Sequence, residues 1–90
     1  MELNDALGQA LRNARLRKGF TQEDFGGISS RTYISSLERG MKAVTVNKLA
    51  TIAEMMDVHP LSILAEGFAL QSGTSLDALL ARVKKELSDD

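Results

Sequence analysis

Arg31, Thr32, Ser35, Ser36 and Arg39 fall within one nine-residue stretch, with Thr21, Gln22 and Ser30 upstream and Lys42 just downstream. An arginine can bond guanine O6 and N7 through two donors, and a hydroxyl can bond a base edge or a phosphate; a threonine methyl can also contact thymine. None of these groups is a nucleophile set beside a base, so the chemistry they suit is recognition rather than bond-making. The chain has no cysteine and a single histidine, His59. Disulfides, thiolate metal sites and a Cys-His pair therefore need residues this chain lacks, and no enzyme activity, metal or cofactor is expected. Gly26-Gly27 lacks the preceding strand and the spacing of a phosphate-binding loop. His59, beside Pro60, reads as a helix cap or a surface residue.

The elements that must position these groups are two short helices joined by a turn. Thr21 and Asp24 form a capping box for the first, and Phe20 and Phe25 can close a hydrophobic staple over its start. Gly26-Gly27 is expected to stop it with a left-handed glycine, followed by Ile28 as an apolar plug. Ser30 caps the second helix, which ends at Gly40. Ile34 and Leu37 form its apolar stripe, while Thr32, Ser35, Ser36 and Arg39 lie opposite and Arg31 stands at its N-terminal end. So short a helix must dock its stripe on other helices. The polar side left outside, positive at both ends, is what a helix lying in the DNA major groove requires.

The segment resembles the helix-turn-helix of the Cro and lambda-repressor class, the XRE family of bacterial and phage regulators. The matching residues are Leu11-Arg12, Arg15, Gly19-Phe20-Thr21-Gln22-Glu23, Ser30-Arg31, Tyr33-Ile34-Ser35 and Leu37-Glu38-Arg39-Gly40, then Leu49, Ile52-Ala53 and Val58, so that residues 5–66 are covered. The resemblance implies an all-α fold with a compact five-helix domain over residues 1–70; a C-terminal helix in residues 71–90 lies outside it and is expected from its own apolar spacing. It also implies that Arg31, Thr32 and Ser36 read bases, with Tyr33 and Ser35 close by. Gln22 would touch the DNA backbone, and Arg15 would pair with Glu38 to brace the first helix against the recognition helix. Here Gly27-Ile28-Ser29-Ser30 replaces the family's usual turn, and the span from Thr21-Gln22 to the second helix is shorter than the family pattern.

Around the motif, residues 4–18 read as a helix, with Leu3, Leu7, Ala10, Leu11 and Ala14 at the spacing of one helical face, Asn4 as cap and Gly19 as stop. Thr45 caps a helix to Met56 whose stripe is Val46, Leu49, Ile52, Ala53 and Met56. Pro60 then opens a helix with Leu61, Leu64 and Ala65 inward and Ile63 at the margin, ending near Gly67, with Phe68 folding back on the core. Gln71-Ser72-Gly73 reads as a joint, and Thr74 with Asp77 as a second capping box. Beyond it Leu76, Leu79, Leu80, Val83 and Leu87 line one side of a helix, either folding back on its own domain or pairing with a second subunit. The homodimer is the favoured reading, since twofold symmetry would set two recognition helices about 34 Å apart on a palindrome.

Net charge is −1, but it is polarised: residues 1–48 hold eight basic against five acidic side chains, and residues 49–90 three against seven, Asp89 and Asp90 included. Local neutralisation of phosphates does not need overall positive charge. The acidic start, M-E-L-N-D, is unlike a signal peptide, and no apolar run approaches membrane-spanning length, so no membrane contact and a cytoplasmic location are expected. At ninety residues, no separate sensing domain is expected. The expected function is a sequence-specific double-stranded DNA-binding regulator, most simply a repressor. The alternative is an antitoxin that also binds its operator and neutralises a partner toxin, and a third class is a pure interaction module with a vestigial motif.

Overall fold

Small side chains decide how the helices meet. In the computed structural model, which describes residues 1–88, the first helix α1 (Leu3–Lys18) buries Ala6, Gly8, Ala10, Leu11 and Ala14. It is followed by a single 3₁₀ turn (Gln22–Phe25), then α2 (Arg31–Glu38), α3 (Val46–Met55), α4 (Pro60–Ser72) and α5 (Leu76–Glu86). A Cβ on Gly8 would stand 2.7 Å from the carbonyl oxygen of Glu38, so only glycine lets the end of α2 lie against α1 at this point. Gly67 does the same for α4, where a Cβ would come within 3.3 Å of the Leu7 Cα. The core between these helices is Leu11, Phe25, Ile34, Leu37, Leu49, Ile52, Met56 and Ile63, with Phe20, Ile28, Tyr33, Met55 and Leu64 packed around it. The all-α architecture is thus the one expected, and no helix among the described residues is long and apolar enough to cross a membrane.

Several local expectations are met by identifiable bonds. Thr21 Oγ1 accepts from the Asp24 amide at 3.2 Å, and Asp24 accepts back from the Thr21 amide at 2.7 Å. Phe20 and Phe25 lie with ring centroids 6.1 Å apart, closing the staple. Ser30 Oγ caps α2, Thr45 Oγ1 caps α3, and His59 Nδ1 accepts from the Leu61 amide at the head of α4. Gly40, at φ 73°, ends α2 in the left-handed region.

Other expectations need correcting. Asn4 does not cap α1, because the helix begins one residue earlier and Glu2 holds the cap position. Gly26 is right-handed at φ −56°, and Gly27 is not among the positive-φ glycines. The reversal is instead a continued tight turn in which the Ile28 and Ser29 amides both bond the Phe25 carbonyl. Val46 is 73% exposed, because the first residue of α3 projects past the core that Leu49, Ile52 and Ala53 fill. In α4 the inner residue is Ile63, 2% exposed, whereas Leu61 points outward. α4 does not stop at Gly67. It continues through Phe68, which is exposed, and through Gln71-Ser72 to a left-handed Gly73, so residue 70 lies inside a helix. Ser75, not Thr74, caps α5, accepting from the Ala78 amide at 3.1 Å; the Thr74 hydroxyl bonds Ser72 instead. Asp89 and Asp90, counted in the acidic half, lie outside the described residues.

Candidate nucleic-acid interface

Ile34 and Leu37 are buried, and this one fact orients α2. With those two inside, Arg31, Thr32 and Arg39 are exposed and Ser35 and Ser36 partly so. Gln22 on the 3₁₀ turn joins Arg31, Thr32, Ser35, Ser36 and Arg39 around one shallow open depression. These residues come from two elements 3₁₀–turn–helix apart in the chain, and the fold brings them to one surface. Thr21 and Ser30 flank it, their hydroxyl oxygens accepting backbone bonds as caps while their protons remain available to a phosphate.

Beneath this surface lies an ion pair that fixes it. Arg15 Nε donates to Glu38 Oε2 at 2.7 Å and Nη2 donates to Oε1 at 2.9 Å, a bidentate bond from α1 to the last residue of α2. The Glu38 side chain is 3% exposed. Arg15 Nη1 also donates to the Phe20 carbonyl, and Gln22 Nε2 donates to Glu38 Oε1 at 3.2 Å. The hydrogen bonds that Arg15 donates to Glu38 raise its pKa above the ordinary value; burial opposes this and the carboxylate charge adds to it. The ion pair therefore ties α1, the approach to the 3₁₀ turn, Gln22 and α2 together.

Tyr33 lies in the first turn of α2. Its ring packs partly on the core, with the Lys42 and Lys48 ammonium groups each 5.6 Å from its centroid. Lys48 Nζ also donates to the Ile28 carbonyl at 3.2 Å. Two cations over one ring form a positive corner beside the end of α2. Lys48 entered the sequence reading only as a charge. Its position in the first turn of α3, three residues after the Thr45 cap, was the available signal that it would face back toward the motif turn. Glu23 was likewise read only as part of the motif, yet it meets Arg31, with Arg31 Nη1 and Glu23 Oε1 3.2 Å apart.

The remaining named residues lie elsewhere. Leu76, Leu79, Leu80 and Val83 lie on α5, with Leu87 at its C-terminal cap; α5 buries none of its residues in this chain and packs mainly on α4. Leu76 and Leu80 border an open apolar groove shared with Leu61, Ala65 and Ala69 of α4.

A helix-turn-helix family profile matches residues 11–63. Among solved structures, the chain is similar to a crystal structure of the clp gene regulator ClgR from Corynebacterium glutamicum: 35% identity, covering 92% of this chain and 90% of that one, with a TM-score of 0.73. A second ClgR structure gives 34% identity over 77% and 92% of the two chains and a TM-score of 0.72. The restriction-modification controller protein C.AhdI from Aeromonas hydrophila is 30% identical over 66% of this chain and 92% of that one, with a TM-score of 0.62. No curated protein matches the sequence.

Proposed function

The chain belongs to the helix-turn-helix family of DNA-binding transcriptional regulators, in the Cro and lambda-repressor class, and from that premise we propose that it is a homodimeric, cytoplasmic repressor of a palindromic operator. The observation that carries this reading is the orientation of α2, whose buried Ile34 and Leu37 turn Arg31, Thr32, Ser36 and Arg39 to solvent. In the proposed complex α2 lies in the major groove. Arg31 reads a guanine, and Thr32 and Ser36 contact neighbouring bases. Tyr33 and Ser35 lie at the margin, while Thr21, Gln22, Ser30, Arg39 and Lys42 hold phosphates. Hydroxyls discriminate bases weakly, so part of the selectivity comes from DNA shape and bridging water.

The dimer is supported by α5, none of whose apolar side chains is fully buried within the described chain: Leu76, Leu80 and Val83 remain 45%, 39% and 40% exposed. Pairing two copies through residues 71–90 buries that side and sets two copies of α2 for successive turns of the duplex. Occupying a promoter sterically needs only these two surfaces, which is why repression is the simplest outcome. The relatives are gene regulators, and binding rather than catalysis is the reading for this chain too.

Selection of bound sites from a random duplex pool tests the proposal directly. The expected result is an enriched palindrome whose half-sites are about one helical turn apart, roughly 34 Å centre to centre. Enrichment of no sequence would overturn it. An asymmetric single site would remove the dimer, and stoichiometric co-purification of a different polypeptide on α5 would favour the antitoxin alternative.

A further inference from the structure

Glu23 has no place in the interface derived so far, yet it touches the residue on which base reading most depends. Arg31 Nη1 lies 3.2 Å from Glu23 Oε1, and both side chains are 68% exposed. Arg31 is the first residue of α2, at the positive end of the helix dipole, and the first turn of α2 contains no acidic residue to offset it. Glu23 supplies that negative charge from outside the helix. It is also firmly mounted. The 3₁₀ turn that carries it is closed by the Thr21–Asp24 capping box and anchored by the fully buried Phe25.

Resting on the reading of α2 as the base-reading helix, we propose that Glu23 is a positioning residue that sets the specificity of Arg31. A guanidinium has five donors in a rigid fork, and the contact with Glu23 engages Nη1. The Nε–Nη2 edge is left as a two-donor fork for guanine O6 and N7. Fixing the plane beforehand reduces the side-chain freedom lost when the fork meets the base, and a fixed plane penalises bases that offer a different donor–acceptor pattern. The carboxylate stays on its own side of the guanidinium in the complex.

The test uses the full chain as wild type, Glu23→Ala, Arg31→Ala and the double variant. Each is titrated against the best selected duplex and against duplexes with every base pair changed in turn, at one salt concentration. Wild type should prefer one G·C pair per half-site by about five- to 150-fold, the range of a bidentate arginine contact. Arg31→Ala should erase that preference. Glu23→Ala should lower it by about two- to fivefold, the scale of an exposed ion pair, and leave preferences at other positions and the melting temperature unchanged. The double variant should be no worse than Arg31→Ala alone. Two results would overturn the proposal: Glu23→Ala binding every duplex more tightly with its preference intact, which makes Glu23 a mere repulsive charge, or a loss additive with that of Arg31→Ala. A wild type that selects no sequence would instead remove the major-groove reading itself, and this proposal with it.

Discussion

Glu38 accepts three hydrogen bonds, because Arg15 grips both its oxygens and Gln22 shares one of them. Removing either charge of a buried pair strands the other, at about 3–5 kcal/mol. Arg15→Ala and Glu38→Ala should each lower thermal stability by that order and weaken DNA binding together, as followed by circular-dichroism melting and duplex titration. Normal melting of both variants would dismiss the bracing role. The pH sign follows from the raised Arg15 pKa: the stabilisation is fully present below arginine's ordinary range and is lost only as pH climbs through the raised value. Melting in moderately alkaline buffer should therefore show no step from this group. This pair was legible in the sequence only through resemblance, since nothing in periodicity links residues so far apart. Gly8 was not legible at all, because its role is set by the carbonyls of Leu37 and Glu38 that pack over it. Gly8→Ala should cost about 1–3 kcal/mol as an overpacked contact. Gly27→Ala, with no neighbouring atom near its Cβ and no left-handed backbone, should be neutral or stabilise by up to about 1 kcal/mol. Equal melting temperatures for the two variants would contradict the close-approach account.

Among the elements, those fixed by local chemistry were readable and those fixed by packing were less so. The Thr21, Ser30 and Thr45 caps need only their own backbone, and each is where its residue type placed it. α4 carries apolar residues nearly all round, Leu61, Ile63, Leu64, Ala65, Phe68, Ala69 and Leu70, so no stripe singles out the inward side. Only the docking of α1 and α3 chooses Ile63 over Leu61. The same composition hid the length of α4, for Gly67 looks like a stop until Leu7 is seen packed against it. α5 presents the opposite case, a clear stripe that α4 covers only in part. Because α5 buries no residue, deleting residues 75–88 together with the two that follow should leave the rest of the chain folded, with a cooperative melt of similar midpoint. On the proposed pairing the shortened chain should be monomeric by light scattering and bind its operator weakly. A shortened chain that still dimerises would assign the interface elsewhere.

Across the whole molecule, charge and shape point the same way. The basic half carries α2, Lys42 and Lys48, and the acidic half carries α4 and α5. The molecule measures 45 × 25 × 22 Å with a radius of gyration of 13.6 Å, longer than the roughly 12 Å of a compact chain this size, because α5 extends beyond the core. Phosphate contacts made by so small a basic surface should give a log–log salt dependence that Lys42→Ala makes shallower by about 0.9, with equal loss on every duplex. A loss confined to one sequence would instead make Lys42 a base reader.

The uncovered flank of α5 also bears on how such a switch would respond to supply. If operator occupancy requires two chains to meet first, then in dilute conditions halving the number of chains leaves only about a quarter of the couples. Promoter output would then swing sharply over a narrow range of expression, a threshold arising from the exposed side of one helix.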